Sequence, residues 1–183
     1  EQLAKHVKGQ TGQVQRYKHQ EKKEAPSQFP DLTSLQREMN RRAGYSASKT
    51  LQIAQTLYER HKLITYPRTD SRYVTHELVP SFSARLQAIV TEETKEWIQP
   101  ILPSPPRLSG KFINSAKVRD HHAIIPTEQK YLPQRLNAEE NLVLSVIHRQ
   151  FIGSGMEAQL VGTQHFSQRR MNSEGQVIDV LRA

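Results

Sequence analysis

Leu63-Ile64-Thr65-Tyr66-Pro67-Arg68-Thr69-Asp70-Ser71 is where a helical pattern gives way to extended chain. Two apolar residues and a β-branched threonine predict a short β-like segment that presents Tyr66 on a proline-stiffened turn. The Pro67 ring fixes its own φ and biases the residue before it away from helix. On an extended backbone alternate side chains face the same way, so Arg68 is expected on the same side as Tyr66. A free phenol titrates near ~10 and is a weak nucleophile at neutral pH unless nearby cations favour the phenolate. A guanidinium two residues away supplies such a charge and can stabilise a phosphorus transition state. Taken alone, Tyr-Pro-Arg fits a half-buried tyrosine closing a strand better than it fits a nucleophile; the surrounding pattern has to decide.

Upstream, Pro26 and Pro30 mark a turn, and Asp31 can cap a helix in which Leu32, Leu35, Met39 and Ala43 follow helical spacing, with Gly44 suited to its end. Ser46 opens a second helix carrying Leu51, Ala54 and Leu57 or Tyr58. Two helices across a short Gly-containing turn are the outline of a helix-turn-helix. Residues 1–24 are polar and read as one or two exposed strands followed by the charged link Glu21-Lys22-Lys23-Glu24. Downstream, Leu78, Phe82, Leu86 and Ile89 predict a helix from Thr75 to Val90, with a shorter one around Trp97. Pro100, Pro103, Pro105 and Pro106 make 100–109 a stiff loop. Asn137 with Glu140 forms a capping-box pattern for a helix bearing Val143, Val146, Ile147 and Phe151, stopped by Gly153 and Gly155. The chain closes in a hairpin: Ala158 to Phe166, a turn at Asn172-Ser173-Glu174-Gly175, then Gln176 to Leu181. The fold class is therefore mainly α with small β elements (α+β), helical in the middle and strand-like at both ends.

Charge is lopsided over the 183 residues, with 26 Lys and Arg against 18 Asp and Glu and a formal net charge of +8. That surplus points to a polyanionic partner, although solvated lysines account for part of it. Cysteine is absent, which excludes disulfides, thiolate nucleophiles and thiolate-ligated zinc. No apolar run approaches the ~20 residues of a membrane helix, and no signal-peptide pattern opens the chain. A cytoplasmic location is expected, nucleoid-associated in a bacterium. The opening Glu1-Gln2-Leu3, without methionine, suggests a piece of a longer protein.

Three stretches carry a resemblance in a common order. Leu63 to Tyr73 resembles the active-site segment of type IA DNA topoisomerases, and the proline after the tyrosine is similar to the topoisomerase III branch. Leu32-Thr33-Ser34-Leu35-Gln36, with Lys49-Thr50-Leu51 and Ala54-Gln55-Thr56-Leu57-Tyr58-Glu59, resembles the helices before that tyrosine. Asp120-His121-His122-Ala123-Ile124-Ile125-Pro126-Thr127 resembles the family's histidine motif. Several ordered motifs are far more specific than one. The resemblance implies that 25–153 is the helical active-site-tyrosine domain. It likewise makes 1–24 and 154–183, the latter as a returning hairpin, parts of an adjoining β-rich arch domain.

For chemistry, the resemblance implies that Tyr66 attacks a single-stranded DNA phosphodiester to form a transient 5′-phosphotyrosine, so that strand passage and rejoining need no ATP. Arg68 is the candidate for phosphate stabilisation. His121 is the candidate for donating to the scissile phosphate, with His122 packed or one step removed, because adjacent strand residues face opposite ways. Pro67, Thr69, Asp70 and Ser71 are supporting residues, and Asp70 or Ser71 could instead cap the next element of the chain. Arg37, Arg41 and Lys49 on the two helices, and Lys111, Lys117 and Arg119 near the histidines, are DNA-binding candidates; a solvated helix face is an equal reading for the first group. Tyr73 could stack on a base or pack.

The family also carries an acidic magnesium-binding domain with a catalytic glutamate and lysine. Here the aspartates are Asp31, Asp70, Asp120 and Asp179, with no Asp-x-Asp. No metal ligand is therefore assigned to this chain; Mg2+ is expected on an amino-terminal domain of the same protein, which becomes a partner beside single-stranded or underwound DNA. The chain alone is expected to bind DNA but not to cleave it efficiently. The alternatives are a non-enzymatic helix-turn-helix DNA-binding module, with Tyr66 structural, and a protein-interaction fragment. A tyrosine recombinase fits less well, since its Arg and His elements precede a late tyrosine.

Overall fold

A computed structural model of the chain describes residues 13–24, 26–102, 110–155, 159–171 and 177–182. By backbone contacts Ala25–Ala158 forms one compact unit, and Glu1–Glu24 with Gln159–Ala183 another. The second contains a three-stranded antiparallel sheet, β1 (Gln13–Glu24), β2 (Gln159–Met171) and β3 (Val177–Arg182), in the order β1-β2-β3. The register slips at a bulge between Val14 and Arg16, a device that sharpens local twist. Glu21-Lys22-Lys23-Glu24, expected as a link, instead continues β1 opposite Gly162, Val161, Leu160 and Gln159. The ladder satisfies backbone groups whatever the side-chain charge, and that overrides composition. Residues 1–12 and the predicted turn at 172–175 lie outside the described residues, as does 103–109 of the proline-rich loop.

The larger unit is mainly helical. Helix α1 (Leu32–Ala43) starts at Asp31, whose Oδ1 accepts from Ser34 N at 2.6 Å while the Ser34 hydroxyl accepts from Asp31 N at 3.0 Å, a reciprocal capping box. It ends at Gly44, which has φ of +66°, a conformation that costs a Cβ-bearing residue about 1 kcal/mol. Helix α2 (Ala47–Glu59) is capped by Ser46. The predicted helix from Thr75 to Val90 is divided: a 3₁₀ segment, His76–Ser81, precedes α3 (Phe82–Ala88). Pro80 lies inside that stretch and lacks the N–H an α-helix needs there. A single turn, α4 (Lys95–Ile98), comes next. Helix α5 (Ala138–Ser154) has the Asn137–Glu140 capping box and runs through Gly153 to end at Gly155. Among the described residues no helix is long and apolar enough to cross a membrane.

Two apolar clusters fill this unit. Leu35 and Met39 of α1, Ile53 and Leu57 of α2, and Val143 and Ile147 of α5 form one, joined by Ile64. Phe29, Phe82, Phe112 and Phe151 centre the other, with Phe82 and Phe151 stacked at 4.8 Å between centroids. Truncating such a phenylalanine to alanine typically costs ~3–5 kcal/mol. The extended segment at 123–125 lies between the clusters: Ala123 and Ile125 enter the phenylalanine cluster, Ile124 the helical one. The period-two alternation of a strand is thus used on both faces.

Candidate active site

The histidine segment is stitched to the tyrosine segment by backbone. Thr65 N donates to Ile125 O at 3.0 Å, and Thr127 N to Leu63 O at 3.0 Å, around an Ile64–Pro126 bridge. Ala123 N reaches Tyr73 O at 2.9 Å and Ile124 N reaches Pro30 O at 2.9 Å, while Leu32 N at the head of α1 donates to Thr69 O at 3.0 Å. The Tyr66 turn is therefore held between α1, α2 and the 121–127 segment. Apolar residues on either side of the motif bury themselves, which leaves its polar tip at the surface.

At that tip the Tyr66 and His121 rings lie 4.3 Å apart, inclined at 45°. Tyr58, on α2, meets Tyr66 edge-on at 5.4 Å and 78°. Tyr66 is half-buried and His121 exposed, so the pair is packed from below and open to a ligand. Among the described residues nothing hydrogen-bonds the Tyr66 hydroxyl or either His121 ring nitrogen. Arg68 is exposed, and with the Gln55 amide turned to satisfy both groups, the Gln55 carbonyl accepts from Arg68 Nη2 at 2.9 Å and Nε at 3.3 Å. Gln55 and Tyr58 are three apart on α2 and so share a face; one orients the guanidinium and the other braces the phenol.

The supporting residues fall into distinct roles. Pro67 is buried, and Thr69 and Ser71 are buried although polar. Thr69 Oγ1 donates to His121 O at 3.0 Å and accepts from Ser71 N at 3.1 Å. The Ser71 hydroxyl accepts from Tyr73 N at 3.2 Å and lies 3.3 Å from both the Tyr73 and Lys117 carbonyls; it braces a loop rather than capping a helix. Asp70 is exposed. His122 is half-buried; its Nδ1 donates to its neighbour's carbonyl, Ala123 O, at 2.8 Å, and burial pushes its pKa down.

The basic candidates are scattered in their engagements. Arg41 Nη2 meets Glu38 at 2.8 Å, and Arg42 meets the same carboxylate, whose pKa is held down to about 2 by hydrogen bonds from the two guanidiniums. Lys49 pairs with Glu139 across to α5 and lies 4.2 Å over the Tyr45 ring. Lys111 Nζ donates to Pro26 O. Lys117 Nζ donates to the Tyr73 hydroxyl at 3.3 Å and lies 4.9 Å over its ring; hydrogen bonds from Gln28 and then Lys117 lower the Tyr73 pKa. Arg37 and Arg119 are exposed. Sequence reasoning passed over Gln55, Tyr58 and Thr65 as site residues, although the first two stand at helical spacing just before the tyrosine and Thr65 adjoins it.

The model of the DNA topoisomerase family matches residues 1–177 of this chain. The chain belongs to that family. DNA topoisomerase 3 of Bacillus subtilis is 37% identical over 156 residues, covering 85% of this chain and 22% of that protein. The Bacillus licheniformis enzyme of the same name is 38% identical over 151 residues, covering 82% and 21%. That of Bacillus cereus is 40% identical over 135 residues, covering 74% and 18%. The topoisomerase chain thus spans about a fifth of the length of these relatives. The full-length topoisomerase I of Thermotoga maritima shares the fold, with a TM-score of 0.57 and 24% identity over 100% of this chain and 29% of that one.

Proposed function

We propose that this chain carries the nucleophile of a type IA DNA topoisomerase of the topoisomerase III kind, and that Tyr66 is that nucleophile. The observation that supports it best is the 4.3 Å approach of the Tyr66 and His121 rings. Tyr66 Oη attacks the phosphorus of a single-stranded DNA phosphodiester. The new phosphorus–oxygen bond forms as the bond to the 3′ oxygen breaks, leaving a 5′-phosphotyrosine and a 3′ oxygen that takes up a proton. The phenolic proton passes to solvent or to a base on another part of the enzyme, and rejoining runs the same steps backwards. Arg68, oriented by Gln55, and His121 contact the non-bridging oxygens, where fixed donors lower the barrier most effectively.

The resemblance calls for Mg2+ and a general acid elsewhere in the protein. Among the described residues no group of three or more His, Asp or Glu side chains could hold a metal ion, and no step here is routed through one. We assign the strands at both ends to an arch domain, and DNA contacts to the exposed cations Arg37 and Arg119. The chain alone binds single-stranded DNA without cleaving it efficiently. The test supplies the amino-terminal portion of a relative such as Bacillus subtilis DNA topoisomerase 3, with Mg2+ and labelled single-stranded DNA. A denaturation-resistant adduct that disappears with Tyr66→Phe is expected; an adduct that survives the substitution overturns the proposal.

A further inference from the structure

Tyr66 is flanked by two threonines whose hydroxyls both reach the histidine segment. Thr65 Oγ1 donates to Ala123 O at 3.0 Å and accepts from Ile125 N at 3.0 Å. Thr69 Oγ1 donates to His121 O at 3.0 Å and is 8% exposed. The two carbonyls so gripped, of His121 and Ala123, are two residues apart in the chain. The grip therefore spans the stretch from which His121 projects.

No ring bond among the described residues orients His121, so its imidazole is placed by the backbone beneath it. The far end of this segment is fixed by backbone pairing through Thr65 N and Thr127 N, together with side-chain bonds from Thr65, Thr127 and Arg85. At its near end, the bond from Thr69 to His121 O is the direct tie between the tyrosine turn and the histidine itself. The Thr69 hydroxyl oxygen also accepts from Ser71 N at 3.1 Å. A buried hydroxyl that donates once and accepts once holds a defined rotamer.

We propose that Thr69, with Thr65 as its counterpart on the other side of Tyr66, is a positioning residue that holds His121 against Tyr66 through the His121 carbonyl. The inference rests on the reading of Tyr66 as nucleophile and His121 as phosphate donor. Valine is close to threonine in shape but lacks the hydroxyl, and serine restores the hydroxyl without the methyl. Thr69→Val therefore removes the tie and Thr69→Ser keeps it.

The first measurement needs no DNA. Nuclear Overhauser contacts between the Tyr66 and His121 rings are recorded in this chain and its variants, with core methyls of Leu35 and Ile147 reporting the fold. The contacts are expected to weaken in Thr69→Val, to a smaller degree in Thr65→Val, and to persist in Thr69→Ser. The second uses the reconstituted cleavage assay at saturating DNA. Thr69→Val is expected to slow adduct formation ~10-fold, the scale of a modest misplacement of reacting groups, with DNA affinity unchanged and Thr69→Ser within about twofold of the parent. Undiminished ring contacts in Thr69→Val, or a cleavage defect that serine fails to rescue, overturns the proposal. Failure of the nucleophile reading shows up separately, as an adduct indifferent to Tyr66→Phe, and leaves the ring comparison intact. If Thr69→Val does not fold, the Thr65→Val contacts and the Thr69→Ser rate still decide, since serine must preserve both.

Discussion

Arg68 illustrates how little of a residue's work is visible in its own burial. It is exposed, and an exposed guanidinium normally samples many rotamers, yet Gln55 can take two of its donors and so fix the fork in advance of the phosphate contact proposed for it. Removing that charge should be felt at the transition state: Arg68→Ala is expected to slow single-turnover adduct formation ~100-fold, the size seen when one oxyanion donor is lost. Gln55→Leu, which frees the fork without deleting it, should cost ~10-fold or less. Arg68→Lys should recover only part of the loss, because an ammonium cannot present two parallel donors. An Arg68→Ala rate within twofold of the parent would remove Arg68 from the chemistry.

Among the elements, α1 and the extended segment at 123–125 do most to set the site. Asp31→Ala deletes the side-chain acceptor of the α1 cap and should cost about 1 kcal/mol in urea unfolding. It should also loosen the Leu32 N contact to Thr69 O. Gly44→Ala should cost about as much for a different reason: nothing lies within 4 Å of an added Cβ, so the penalty is one of backbone conformation. Ile124→Ala should cost ~2–5 kcal/mol, since its fully buried side chain fills the helical cluster behind the histidines. The helices α1, α2 and α5 were legible because their caps and periodicity are local signals, present in Asp31, Gly44, Ser46, Asn137 and Glu140. What the sequence hid depends on pairing. A charged run became strand because β2 lies beside it, Pro80 divided a helix that apolar spacing had drawn as one, and the grip of Thr65 and Thr69 joins residues far apart in the chain. Even the resemblance, which named Tyr66, Arg68 and His121, gave no role to Gln55 or Tyr58.

At the scale of the whole molecule two linked equilibria can be read. His148 on α5 is buried, 4.9 Å from the Tyr131 ring, and its Nε2 has no partner among the described residues. Burial lowers its pKa from 6.5 to about 3. The unfolded chain therefore takes up the proton first, and stability is lost as pH falls below 6.5, by about 2 kcal/mol at pH 5. His148→Leu should flatten that part of the pH–stability curve; an unchanged acid slope would show that other groups carry it. With a net charge of +8, the proposed binding of single-stranded DNA is expected to weaken with salt, the logarithm of affinity falling linearly with log salt with a slope of about 0.7 per phosphate contacted; a flat salt dependence would argue against a DNA-binding surface. Above both stands the covalent step. Tyr73 is the useful competitor, a second phenol only seven residues on, with a lowered pKa and a lysine on its hydroxyl. Peptide mapping by mass spectrometry of the trapped adduct, after nuclease and protease digestion, separates the two. A nucleotide joined through its 5′ phosphate to the peptide's Tyr66 is the expected product; the same mass on Tyr73, or on any residue other than Tyr66, would contradict the mechanism.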